Sequence, residues 1–150
     1  MGSTLIETSE LKTIRSILLG TIVFTLIGMG FELVFLGHVE GVAQLLPLAL
    51  IAAALLLLGW YAAARTGSGI RSFQVVMALF IGGGILGIVL HVRSNMEFAR
   101  DMYPNIERME LFRKTVAGAL PALAPGSMIA IGLIGLAYTF RHPALQRRTK

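Results

Sequence analysis

Two histidines are the first candidates for chemistry, because each closes a long apolar stretch of the chain. His38 follows the first stretch and His91 ends the third. Neutral imidazoles at similar depth on one side of a membrane can ligate haem, a pigment or a transition metal. We therefore predict a cofactor site at His38 and His91, whose rings should approach to within about 10 Å if they share a metal ion. The candidate metal ligands are Glu32, His38, His91, Glu97 and Asp101.

Glu32 is the only acidic residue well inside an apolar stretch. It lies about four residues from the end of that stretch, or about 6 Å below a membrane surface at the helical rise per residue. A carboxylate at this depth is a candidate for proton-coupled transport. The alternative is structural, since Glu32 can reach the headgroups or pair with an outer arginine such as Arg93 or Arg100.

Several kinds of catalytic site are excluded by the residues that the chain lacks. Without cysteine there is no disulfide, thiolate nucleophile or cysteine-held iron–sulfur cluster. Nucleotide-binding loops, nucleophile elbows and the metal motif HExxH are also absent. Met96, Met102 and Met109 could supply soft ligands for copper, but two of them belong to an apolar stripe where packing explains them better. These absences favour a protein that is not an enzyme.

Four apolar stretches must position these side chains. Of the 150 residues, 55% are hydrophobic and 14% are charged, well outside the range of soluble proteins. Stretches of about 20 residues can cross a bilayer core about 30 Å thick as helices. The chain is therefore predicted to be a single all-α domain over residues 1–150, an integral membrane four-helix bundle. The predicted spans are residues 14–36, 45–64, 73–92 and 116–140.

Prolines and a weak internal repeat refine this arrangement. Pro121 and Pro125 interrupt the fourth stretch, which predicts a kink or a short helix that ends near Pro125 before the main span. Residues 36–40 (LGHVE) resemble residues 89–93 (VLHVR), each set closing an outward-going span. The repeat favours two helical hairpins in parallel orientation, although apolar spans also match by chance.

Residues 93–114 form the longest polar segment between two spans. Its apolar residues recur at spacings of four, four, three and three, which predicts an amphipathic surface helix between spans 3 and 4. Pro104 should break this helix, and Asn105 could cap a second piece. The apolar stripe consists of Phe98, Met102, Ile106, Met109 and Phe112.

The basic residues predict the orientation. Most of those near the termini and in the loop at 65–71 lack acidic partners, whereas the charges of residues 93–114 nearly balance. The positive-inside rule then places both termini in the cytoplasm, as in a bacterial inner membrane. The charges lie at the ends of apolar runs, so no face for nucleic acid is predicted. His142, between Arg141 and Pro143, is expected to be an ordinary surface histidine.

Small residues mark the places where helices in lipid can approach closely. Gly83 and Gly87 form a GxxxG pair in the third span, and the fourth stretch carries a ladder at every fourth position, Gly118, Ala122, Gly126 and Ala130. We expect tight packing within one bundle or between protomers. The alternative is a hinge or cofactor slot at Gly82–Gly84.

Three functions follow, in order of preference. The first is a non-enzymatic subunit or assembly factor of a larger membrane complex, in contact with the lipid bilayer and with other membrane subunits or copies of itself. The second is an outer-face metal, haem or pigment binder that uses His38 and His91. The third is a small proton-coupled transporter that uses Glu32.

Overall fold

A computed structural model describes residues 9–37, 41–118 and 124–146, and all regular structure in these ranges is helical. The predicted all-α class is confirmed. The helices are α1 (Ser9–Phe35), α2 (Val42–Ala64), α3 (Gly67–Met102), α4 (Arg108–Val116), α5 (Gly126–Thr139) and α6 (Pro143–Gln146).

Helices α1, α2 and α3 are long and apolar enough to cross a membrane, which indicates an integral membrane protein. Helix α5 is also apolar but has only 14 residues. At 1.5 Å per residue it measures about 21 Å, less than the bilayer core of about 30 Å. It begins directly after Pro125, as the prolines predicted.

Each of the four apolar helices contacts two others. Helix α5 packs against α3 and α1, and α2 packs against the same two helices. The short helices α4 and α6 both pack against α3. Large side chains from all four apolar helices fill the interior, and the largest fully buried ones are Phe73, Phe80, Ile22, Leu26, Ile70, Met77 and Ile131. Apolar side chains also cover the outer surface, as expected for helices that face lipid: Phe24 is 80% exposed and Leu56 is 74% exposed.

The seam between α3 and α5 depends on glycines of both helices. A Cβ atom on Gly84 would lie 2.8 Å from the carbonyl oxygen of Pro125, and one on Gly132 would lie 2.7 Å from that of Met77. Gly87 faces the Pro125 ring just as closely. Gly126 and Ala130 of the predicted ladder take no part in this seam, because Gly126 has open space around it and Ala130 is exposed. Ala122 lies outside the described residues.

Helix α3 corrects the prediction of a separate surface helix over residues 93–114. It runs without a break from Gly67 to Met102, because residues 93–102 contain good helix formers and no glycine or proline. The helix ends just before Pro104, whose ring disfavours a helical conformation in the preceding residue. The N-cap position of α4 is Glu107, whose side chain makes no capping hydrogen bond, so the predicted cap at Asn105 is wrong.

The prediction for His142 is also wrong. Its side chain is buried, with only 6% of the residue exposed. Arg141 adopts a left-handed conformation with φ of 48°, after which α6 begins at Pro143. Helix α6 packs against the start of α3 closely enough that a Cβ on Gly67 would lie 2.6 Å from the Ala144 carbonyl oxygen. We call this part of the molecule, which contains Arg15, Arg65, Arg71 and Arg141, the basic end.

Candidate functional site

The predicted cofactor ligands are only partly within the described structure. His38 lies outside the described residues, so the approach of His38 to His91 stays a prediction. His91 is half-buried on α3. Glu32 is exposed near the end of α1. Transport through Glu32 also stays a prediction.

Glu97 and Asp101 both lie exposed on the last part of α3. Glu97 accepts a hydrogen bond from Arg93 Nε at 2.7 Å, one helical turn away. Among residues 9–37, 41–118 and 124–146, no three His, Asp or Glu side chains are grouped so that they could hold a metal ion.

A helical hairpin at the end of α3 is the most distinctive polar feature of the fold. We call residues 93–116 the distal hairpin: the last part of α3, a turn at 103–107, and α4, which packs back against α3. Asn95 is buried between the two helices and donates from Nδ2 to the Thr115 carbonyl oxygen at 3.0 Å. Ala99 and Thr115 are buried beside it. A buried amide bound in this way fixes how the two helices meet.

Gly118 allows the chain to pass close to this amide. A Cβ at this position would lie 2.6 Å from Asn95 Cγ and 2.5 Å from the Lys114 carbonyl oxygen. Gly118 belongs to the predicted ladder of small residues. Its role in the structure is to leave room for the Asn95 side chain, and not to pack two membrane spans. The hairpin is consequently a single packed unit.

Charged side chains of α4 pair along the surface of the hairpin. Glu110 accepts a hydrogen bond from Arg113 Nη2 at 3.0 Å and lies 3.5 Å from Lys114 Nζ. The Arg113 hydrogen bond holds the pKa of Glu110 below its ordinary value. Lys114 Nζ also lies 4.4 Å from the centre of the Tyr103 ring, in cation–π geometry. The Lys114–Tyr103 contact connects α4 to the turn.

Large apolar side chains project from this polar hairpin. Phe98 and Met102 share one face of α3 and are each 57% exposed. On α4, Met109 is 77% exposed and Phe112 is 65% exposed. The sequence stripe thus exists, but it is divided between two helices and none of these four side chains is buried. A wide open groove of about 710 Å³, lined in part by Met102, Tyr103 and Lys114, adjoins them.

Sequence reasoning found the apolar residues of the hairpin but missed what holds it together. Neither Asn95 nor Thr115 was predicted to join two helices. A polar side chain that shares a helix face with small residues was the available signal, since Asn95 and Ala99 are also four residues apart. Comparisons with protein-family models, curated proteins and solved structures find no match for this chain.

Proposed function

We propose that the chain is a non-enzymatic subunit or assembly factor of a larger membrane complex, and that its distal hairpin binds the partner protein. The observation that carries this proposal is the exposure of Phe98, Met102, Met109 and Phe112 on a hairpin whose other exposed residues are mostly charged or polar. Exposed apolar patches with polar surroundings mark protein or membrane contacts. Aromatic residues and methionine are also enriched in protein interfaces.

The distance of these side chains from the apolar span favours a protein over lipid as the contact. The uncharged part of α3 covers residues 73–92, about 30 Å at 1.5 Å per residue, which matches the bilayer core. Phe98 and Met102 follow its end by six and ten residues, so along the helix axis they lie about 9 and 15 Å farther out. Such side chains reach past the hydrocarbon region, where a partner protein would remove them from water.

The contacts within the hairpin are a second support. The bond from Asn95 to the Thr115 carbonyl group and the Lys114–Tyr103 contact fix α4 on α3 before any partner binds. A surface that is ordered beforehand loses less conformational entropy on binding. This property suits a docking element better than a catalytic loop.

The arrangement of the apolar helices supports the rest of the proposal. In our proposal α5 belongs to a fourth span, so that α1, α2, α3 and α5 form a four-helix bundle. The contacts of α1 with α2, α2 with α3, α3 with α5 and α5 with α1 follow such a ring. They also suit two parallel hairpins, α1–α2 and α3–α5. The basic end would then face the cytoplasm and the distal hairpin the opposite side.

Site-specific photocrosslinking in cells tests the docking surface. We expect a photoreactive amino acid at Phe98 or at Phe112 to crosslink to one discrete protein. The matched control is Phe24, which is 80% exposed in the middle of α1 and should crosslink to lipid. Phe98→Glu combined with Met109→Glu should abolish the protein crosslink from Phe112 while the purified chain stays folded.

Two results would contradict the proposal. Crosslinking of Phe98 and Phe112 to lipid alone, as for Phe24, would make the hairpin a membrane-surface element. A product at twice the mass of the chain, with no other protein, would make the partner a second copy and remove the larger complex.

A further inference from the structure

A cavity at the basic end is lined by arginine, tyrosine and histidine side chains next to apolar ones. It measures about 230 Å³ and opens between α1, α2 and the end of α5, with room for several groups the size of water, each about 30 Å³. Its polar lining contains two arginines, two tyrosines, a serine and a histidine, and its described lining contains no carboxylate. The lining residues are Arg15, Ser16, Leu19, Leu58, Tyr61, Ala62, Arg65, Tyr138 and His142.

The chain holds His142 in this wall by contacts on several sides. The ring lies edge-on to Tyr61 at 5.2 Å between centroids and tilted to Tyr138 at 5.4 Å. Its Nδ1 accepts a hydrogen bond from the Ala144 backbone N–H at 3.2 Å. The neutral ring therefore carries its proton on Nε2, at the other side of the ring.

The two arginines are positioned by different contacts. Arg15 donates from Nη2 to the carbonyl oxygens of Phe140 at 3.2 Å and Arg141 at 3.0 Å, which ties α1 to the end of α5. Arg65 is exposed, follows α2, and lies over the Tyr61 ring at 5.8 Å.

The other side of the cavity is apolar, because Leu19, Leu58 and Ala62 face it from α1 and α2. The cavity thus joins a cationic, hydrogen-bonding part to an apolar part where apolar helices end. A phospholipid has this same order of groups at a membrane surface, from phosphate to acyl chain. Basic pockets between membrane helices bind anionic lipid headgroups by this chemistry.

We propose that this cavity binds the phosphate group of an anionic phospholipid. Arg15 and Arg65 supply the positive charge, and Tyr61, Tyr138 and His142 supply side-chain hydrogen-bond donors. The acyl chains leave along Leu19 and Leu58 toward the lipid-facing surfaces of α1 and α2. This inference is independent of the docking role of the distal hairpin.

The single tryptophan of the chain, Trp60, provides the measurement because it is next to Tyr61. The full chain is reconstituted in phosphatidylcholine vesicles that contain increasing fractions of phosphatidylglycerol with brominated acyl chains, which quench tryptophan fluorescence. We expect half-maximal quenching at a lower fraction of brominated phosphatidylglycerol than of brominated phosphatidylcholine. Arg65→Gln should weaken this preference about fivefold, the share of one basic residue near an anionic surface.

Arg71→Gln is the matched control, because Arg71 is exposed at the same end but does not line the cavity. It should leave the preference unchanged, and Arg65→Lys should keep most of it. Circular dichroism checks that Arg65→Gln is folded, which is expected because Arg65 is exposed.

Three results would overturn the proposal. Equal quenching by the two brominated lipids would remove selectivity for an anionic headgroup. Equal losses in Arg65→Gln and Arg71→Gln would reduce the effect to general surface charge. Removal of the preference by millimolar inorganic phosphate at constant ionic strength would show that free phosphate, and not a lipid, is the ligand.

Discussion

The seam between α3 and α5 and the surface of α1 are both apolar and both contain glycine, but the glycines do different things. In the seam, Gly84 and Gly132 each face the backbone of the opposite helix with no room for a methyl group. On α1, a Cβ atom on Gly20 or Gly28 would meet no atom of another helix within 4 Å. Only Ile22 and Leu26 of α1 are buried.

This difference shows what makes a glycine a packing residue in a membrane protein. Because lipid removes the hydrophobic force between helices, close association depends on van der Waals contact over backbones that can approach. Such contact needs small residues on both helices at matching heights. Gly84 and Gly87 of α3 and Gly132 and Gly135 of α5 fulfil this condition, and Gly135 fits directly against the Met77 side chain.

Adding one methyl group to each region should have opposite effects, and this is the largest difference that we predict. In Gly132→Ala the new Cβ would meet Ile81 Cγ1 and the Met77 carbonyl oxygen, both at 2.7 Å, so the helices must separate. Overpacking of this kind costs about 1–3 kcal/mol in the free energy of unfolding. Gly20→Ala should be neutral or stabilise by up to about 1 kcal/mol through helix propensity.

Unfolding in mixed micelles with increasing fractions of sodium dodecyl sulfate measures both variants against the parent chain. Gly84→Ala should follow Gly132→Ala, since its methyl group would meet Pro125 and Ile129. If Gly20→Ala destabilised the chain as strongly as Gly132→Ala, α1 would be tightly packed in the membrane and the contrast between the two regions would disappear.

The distal hairpin extends the comparison to packing by a polar group. Asn95→Leu removes the donor to the Thr115 carbonyl oxygen at a buried site, which leaves that oxygen without this partner at a cost of about 1–3 kcal/mol. We expect faster amide hydrogen exchange in α4 and unchanged exchange in α5. Ser94→Ala, at the neighbouring exposed position, is the control and should change neither helix. Equal protection of α4 in Asn95→Leu and the parent would mean that Asn95 does not hold the hairpin.

Arg15 joins α1 to the end of α5, and its substitution should destabilise the packing of α1 by a smaller amount. Arg15→Gln should lose the bonds to the Phe140 and Arg141 carbonyl oxygens, at about 1 kcal/mol or less because the site is exposed. Lys12→Gln, one turn earlier on α1, should have no such effect. Disulfide trapping between cysteines placed in α1 and α5 near this end should slow in Arg15→Gln alone. An unchanged trapping rate would mean that apolar contacts hold α1 without Arg15.

The positions of the apolar helices depend on local composition and could be predicted from the sequence. The contacts between helices depend on which residues oppose each other and could not. The three long apolar helices follow from runs of residues without charge, and the start of α5 follows from Pro125. The continuation of α3 to Met102 was missed because the polarity change at Arg93 was treated as a helix end, although the helix propensity does not change there. Gly132 and Gly135 were not predicted to pack against α3, because the spacing of small residues along one helix does not show which residues of another helix face them.

The candidate site shows the same limit. The apolar residues of the distal hairpin were recognised by their helical spacing in the sequence. They are exposed on both α3 and α4, although the sequence predicted a single stripe. The burial of His142 could not be predicted from Arg141-His142-Pro143 alone. It depends on a left-handed turn at Arg141 and on rings of Tyr61 and Tyr138 that come from other helices.

The smallest effect that we predict concerns the exposed charges of α4. Since the hydrogen bond from Arg113 lowers the pKa of Glu110, the folded state favours the carboxylate. This contribution to stability is therefore fully present above the unfolded pKa of Glu110 and is lost as the pH falls through the lower folded value. Carbon-detected NMR titration of Glu110 should give a pKa below that of an ordinary glutamate, and Arg113→Gln should raise it. A Glu110 pKa that does not respond to Arg113→Gln would mean that the pair does not form in solution, so that α4 would depend on Asn95 and the Lys114–Tyr103 contact alone.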